Sequence, residues 1–137
     1  MLRGDAKTAL LKKVPLFADC SKEELTLIAD TAVEVEFPQG AAIINEGDET
    51  LEFYVVITGN ADVLRRDKLL RTLGPGDFFG EIAILLGAPR SATVTTTSPV
   101  RVLVIDKPEL SRLLREVKGL HRKVIRALGE RLVPAAL

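Results

Sequence analysis

Phe78-Phe79-Gly80-Glu81-Ile82-Ala83-Ile84-Leu85-Leu86-Gly87-Ala88-Pro89-Arg90-Ser91-Ala92-Thr93-Val94 is the stretch on which the fold turns. Its middle is rich in helix formers and is bounded by Gly80 and Gly87, which fits one or two helical turns over residues 81–86. Everything around it reads differently. Short β-branched or aromatic runs lie before and after it: Val33–Phe37, Ala41–Ile44, Phe53–Ile57, Ala61–Leu64, Leu69–Leu73, Ala92–Thr97 and Val100–Ile105. Gly40, Gly47, Gly59, Gly74 and Gly76 fall between or beside them. Many short strands at regular spacing with turn residues predict an antiparallel barrel or sandwich over residues 33–105.

Helices flank this β-body on both sides. Ala6 to Lys13 reads as a short helix that stops before Val14-Pro15, because a residue preceding proline disfavours helical geometry. Pro15-Leu16-Phe17 reads as an apolar plug. Ser21-Lys22-Glu23-Glu24 has the capping-box pattern, and Leu25, Ile28, Ala29 and Ala32 follow at helical spacing, so residues 22–32 form a second helix. Beyond the strands, Asp106-Lys107-Pro108-Glu109 supplies an N-cap, a first-turn proline and an acid at the capping-box position. Leu110, Leu113, Leu114 and Val117 then form one helical face. Gly119 interrupts, and Leu120, Val124, Leu128 and Leu132 mark a last helix that Pro134 stops. One domain therefore fills residues 1–137: N-terminal helices over 1–32, a β-body over 33–105 and C-terminal helices over 106–133.

Composition narrows the function. The 137 residues are 47% hydrophobic and 28% charged, which excludes a disordered or collagen-like chain. Lys plus Arg and Asp plus Glu number 19 each, so there is no overall basic field for nucleic acid. The charge is nevertheless uneven. Ten acids and one base, Lys22, lie between Asp19 and Glu52, while eight bases and three acids lie between Lys107 and Arg131. The two ends can attract each other, the basic end can meet a partner, or both are solvated helix faces. No apolar stretch approaches the ~20 residues of a membrane span, and the first residues lack the pattern of a signal peptide. Cys20 is the sole cysteine and cannot form an intrachain disulfide, so the expected compartment is the cytoplasm. Cys20 and His121 are the only members of their types, which argues against a Cys/His zinc site.

The same stretch carries the chemistry. A helix start there presents unpaired N–H groups and a positive dipole end, and Gly80 has no side chain to block an approaching anion. Arg90, after the turn set by Pro89, can return a planar guanidinium to that spot, a geometry suited to phosphate. Glu81 can accept from a sugar hydroxyl, or it can close the loop as an ion pair with Arg90. Gly74-Pro75-Gly76-Asp77-Phe78-Phe79-Gly80 is not a dinucleotide fingerprint, because its third glycine falls one position late and no βαβ unit surrounds it. Ser91 has no sequence-adjacent histidine, and Asp77 and Glu81 show no paired acid–base arrangement, so no enzyme is expected.

Phe79-Gly80-Glu81-Ile82-Ala83 followed by Pro89-Arg90-Ser91-Ala92-Thr93-Val94 resembles the phosphate-binding cassette of cyclic nucleotide-binding domains. Val14-Pro15-Leu16-Phe17, Gly40, Glu46-Gly47-Asp48, Phe53-Tyr54-Val55-Val56 and Gly59 match the upstream pattern of that family, and the resemblance covers residues 14–132. It implies an antiparallel, jelly-roll-like β-roll with flanking helices and a short cassette helix. It also implies ligand contacts. Gly80 and Glu81 meet the ribose, Arg90 meets the cyclic phosphate, and Ser91 joins it with the backbones of Ile82, Ala83 and Ala92 nearby. Val63, Leu70 and Arg71 border the base, and Arg131 caps it. The implied function is a regulatory module that senses a cyclic nucleotide, cAMP in preference to cGMP, and repositions its C-terminal helix. No cofactor is implied beyond that ligand. The alternatives are a family-shaped interaction scaffold that has lost nucleotide binding, or the sensor of a larger channel or transcription regulator. The expected partners are the nucleotide and an effector domain or protein, with no nucleic acid bound by this chain alone.

Overall fold

A computed structural model of the chain describes residues 3–80 and 87–126. The cassette helix expected at 81–86 and everything from 127 onward, including Arg131, lie outside the described residues. The N-terminal unit is α1 (Gly4–Lys12), a 3₁₀ turn (Pro15–Phe17) and α2 (Lys22–Thr31). Leu16 and Phe17 are buried, as a plug requires. The capping box forms: Glu24 N–H donates to Ser21 Oγ at 3.1 Å and Ser21 N–H donates to Glu24 Oε1 at 2.8 Å.

Eight strands follow: β1 (Val33–Phe37), β2 (Ala42–Ile44), β3 (Glu52–Thr58), β4 (Ala61–Arg65), β5 (Lys68–Leu73), β6 (Phe78–Phe79), β7 (Thr93–Thr96) and β8 (Val100–Asp106). They pair antiparallel in two four-stranded sheets, ordered β1-β8-β3-β6 and β2-β7-β4-β5. This is the helix-flanked β-roll. Phe78–Phe79, part of the expected interruption, is a strand, because Tyr54 and Val55 of β3 pair with it. After β8 comes α3 (Lys107–Glu116), with Asp106 Oδ1 accepting from Glu109 N–H at 3.0 Å. The Glu109 carboxylate does not complete a capping box; it accepts from Arg112 on the same helix instead. Gly119 sits at φ +80, and the chain is helical again over residues 120–126.

The first sheet is covered on both faces. Phe53, Val55 and Ile57 of β3, with Leu103 and Ile105 of β8, pack on Leu11, Phe17, Ile28, Leu113 and Leu120 of the helices. Tyr54 and Val56, with Val100 and Val102, face the other way onto Ile44, Ala61, Val63, Leu73 and Val94 of the second sheet. The alternation of side chains along a strand produces this split. It explains why β3 reads as an unbroken apolar run rather than an alternating one. Each such side chain contributes about 1.5–3 kcal/mol by leaving water. The acidic and basic ends of the chain do meet: Lys123 Nζ lies 3.5 Å from Asp19 Oδ2, and Lys118 N–H donates to Glu24 Oε2 at 3.1 Å.

Candidate functional site

Arg90 lies in the loop before β7, and only 3% of it is exposed. Burying a guanidinium is costly unless its donors are satisfied. The turn between β2 and β3 fixes its backbone: Gly47 N–H donates to the Arg90 carbonyl at 2.8 Å, and Arg90 N–H donates to the Asp48 carbonyl at 2.7 Å. Residues of three segments then hold the side chain. Nε donates to Thr50 Oγ1 at 3.1 Å, Nη1 to the Gly80 carbonyl at 2.7 Å and Nη2 to the Glu52 carbonyl at 2.7 Å. Two of those acceptors are neutral carbonyls, which orient the guanidinium plane without cancelling its charge. The Glu52 carboxylate approaches more loosely, with Oε2 3.8 Å from Nη2.

Gly80 is part of this cradle for a steric reason. It has φ +95, and a Cβ there would stand 2.6 Å from the Glu52 carbonyl oxygen and 3.0 Å from Arg90 Nη1. Behind it Tyr54 stacks on Phe79, with ring centroids 4.7 Å apart and planes 8° from parallel. Burial pushes the Tyr54 phenol up from its ordinary pKa, the Glu52 charge adds to this, and the Arg90 charge opposes it. Tyr54 therefore stays neutral beside the guanidinium.

The remaining residues selected from sequence fall at graded distances from the cradle along the chain. Ser91 is exposed, and its carbonyl accepts from Arg65 Nε at 3.0 Å. Ala92 and Val63 are buried in the core between the sheets. Arg71 pairs with Val63 in the β4–β5 register, so the two share a sheet face. Leu70 falls where that register shifts and is 50% exposed. Glu81, Ile82, Ala83 and Arg131 lie outside the described residues. Thr50 and Glu52, which sequence reasoning did not select, supply an acceptor each to Arg90. Only the Glu46-Gly47-Asp48 turn just before them carried a signal.

A separate open groove of about 510 Å³ lies at the far end of β3, lined by Glu36, Phe37, Thr58, Pro99, Val100 and Arg101 among others. None of the selected residues lines it, and its Arg101 is paired with Glu34 and Glu36. Among the described residues no cluster of His, Cys, Asp and Glu is arranged to hold a metal, and no helix is long and apolar enough to cross a membrane.

The fold and the cradle together define a helix-flanked β-roll that seats a buried arginine closely against Gly80. The sequence profile described as "Cyclic nucleotide-binding domain" matches residues 34–117, and the chain belongs to that family. It is 38% identical over 119 residues to a cAMP-dependent protein kinase regulatory subunit of Hypocrea atroviridis, covering 87% of this chain and 26% of that protein. The regulatory subunit of Schizosaccharomyces pombe is 34% identical over 120 residues, covering 87% and 29%. The chain thus spans less than a third of the length of these relatives. Among solved structures, cAMP-bound PfPKA-R (141–441) superposes with a TM-score of 0.85 at 28% identity, over 98% of this chain and 48% of that one. The Thermus thermophilus Catabolite Activator Protein superposes with a TM-score of 0.83 at 28% identity, over 89% and 60%.

Proposed function

We propose that this chain is a non-enzymatic sensing module that binds a cyclic nucleotide, cAMP in preference to cGMP, with Arg90 meeting the cyclic phosphate. The observation that carries the reading is the buried guanidinium held by Thr50, Gly80 and Glu52. A charge fixed in place before the ligand arrives loses little entropy on binding, which is how a small anion gains affinity. In this reading Gly80 and Glu81 meet the ribose, and Ser91 with the Ile82, Ala83 and Ala92 backbones adds phosphate contacts. Val63, Leu70 and Arg71 border the base, and Arg131 closes over it. The cAMP preference is supported by the cAMP-bound structural relative.

Residues 1–137 act as one domain in this reading, in the cytoplasm. The kinase regulatory subunits among its relatives support a protein kinase catalytic subunit as the protein partner. Isothermal titration of the full chain tests the site. Micromolar or tighter binding of cAMP is expected, with cGMP weaker. Arg90→Ala should lose about 3–5 kcal/mol of binding, as removal of one partner from a buried charge pair does, and more than Glu81→Ala, which loses only a hydroxyl contact. Wild-type affinity in Arg90→Ala overturns the assignment. No heat with either nucleotide leaves a protein-binding scaffold as the function.

A further inference from the structure

The Glu52 side chain has a part that the cradle does not explain. Its backbone carbonyl holds Arg90, yet its carboxylate also turns toward the same guanidinium, with Oε2 3.8 Å from Nη2. That oxygen is covered from solvent although the side chain as a whole is 40% exposed, and it accepts no hydrogen bond among the described residues. A shielded carboxylate oxygen without a donor is costly in itself. At 3.8 Å it is also too far to help orient an arginine already held by three shorter bonds. What remains is its charge.

We propose that Glu52 is an affinity-setting residue: its carboxylate competes with the ligand phosphate for the field of Arg90 and holds anion binding weaker than the cradle alone would allow. This rests on the reading of Arg90 as the phosphate contact. An anion reaching the guanidinium has to share it with a negative charge that is already beside it, and the two anions repel. Because Glu52 opens partly to water, solvent screens the repulsion, and the penalty is a moderate factor rather than an abolition of binding. The residue lowers the affinity of the site and leaves a counter-charge beside the buried arginine when no ligand is present.

The test is titration of the full chain with cAMP, comparing wild type, Glu52→Gln, Glu52→Ala and Arg90→Ala at low and high salt. Glu52→Gln keeps the shape and removes the charge, and it should tighten binding by about three- to tenfold, the factor for one screened charge at short range. Glu52→Ala should move affinity in the same direction, and it serves if the amide disturbs the Arg90 cradle. The gain should shrink as salt is raised, which a purely structural role would not produce. Unchanged or weaker binding in both Glu52 variants, with Arg90→Ala strongly impaired, overturns the role of Glu52 and leaves the phosphate site standing. Unimpaired binding in Arg90→Ala instead overturns the phosphate reading, and the role of Glu52 falls with it.

Discussion

Replacing Gly80 with alanine tests the geometry of the cradle without touching a charge. Two costs are expected, and they can be separated. Holding a non-glycine residue at φ +95 costs about 1–2 kcal/mol by itself. The added methyl would also stand 2.6 Å from the Glu52 carbonyl oxygen, a backbone atom that cannot swing aside as a side-chain tip can. Relieving that overlap means shifting the backbone of β3 or of Gly80 itself, and overpacking of this kind costs about 1–3 kcal/mol more. The total is roughly 2–5 kcal/mol of stability, on the same scales. Gly87 supplies the control, since its φ is +62 but no atom of the described residues lies within 4 Å of a Cβ built there. Gly87→Ala should therefore lose only the backbone share, about 1–2 kcal/mol. Urea unfolding of both variants, followed by circular dichroism, reads the difference. Because the displaced carbonyl is the one that holds Arg90 Nη2, Gly80→Ala should also weaken cAMP in titration while Gly87→Ala changes it less. If the two alanine variants lose equal stability, the close approach has no energetic weight and the reasoning fails.

Two further outcomes follow from buried and capping groups. Thr96 is 2% exposed, donates through Oγ1 to the Pro38 carbonyl at 2.7 Å and accepts from Ala41 N–H at 2.8 Å. Thr96→Val keeps the volume but strands both partners, so denaturant titration should show a loss of about 2–4 kcal/mol; a neutral result would mean that water replaces the hydroxyl. The Glu24 carboxyl is held below its ordinary value of 4.5, first by the Ser21 backbone N–H, with the Lys118 N–H acting the same way. Since the folded value is the lower one, its stabilisation is fully present above the unfolded value and is lost as pH falls through the folded one. Glu24→Gln should flatten that acid limb in unfolding measured across pH, and an unaltered profile would count against the cap as a source of acid sensitivity.

Local signals in this chain were legible, and contacts made by backbone atoms were not. Ser21 and Glu24 announce a capping box because both partners lie within one turn, and the box forms as read. The strand series was legible from β-branched runs and glycines to within a residue or two at most ends. Phe78–Phe79 escaped because two residues carry no period, and their pairing with β3 is decided by tertiary contact. Arg90 and Gly80 were visible through the cassette pattern. Thr50 and Glu52 were not, since Glu52 holds the guanidinium through a carbonyl, a group every residue has. Leu70, which the resemblance sets beside the base, is the unmatched residue of β5 at the register shift between Val63 and Leu64 and is half exposed, a placement decided by strand pairing that no local pattern announces.

The position of the cradle on β3 connects the site with the helices. Glu52 begins that strand and supplies the carbonyl that fixes Arg90 Nη2. The next residue, Phe53, points into the helix-side core with Leu113, Leu120 and Val124, and Tyr54 turns back to stack on Phe79 beside Gly80. The same backbone thus carries the arginine's acceptor and one wall of the helical layer within two residues. Packed interiors do not deform smoothly, so a shift at the start of β3 must be taken up by repacking on one face or the other. On the second-sheet face, Tyr54 and Val56 pack on Val63, Leu73 and Val94, whose own strands are paired antiparallel. On the helix face, the segment after α3 turns at Gly119, whose φ is positive, and is held by buried Val117, Leu120 and Val124 together with the Lys118 backbone hydrogen bond and the Lys123 ion pair. Exposed ion pairs contribute about 0–1 kcal/mol. Because Glu52, Phe53 and Tyr54 follow one another on one strand, movement of the Arg90 cradle would register in the helix-side core through Phe53 and in the core between the sheets through Tyr54.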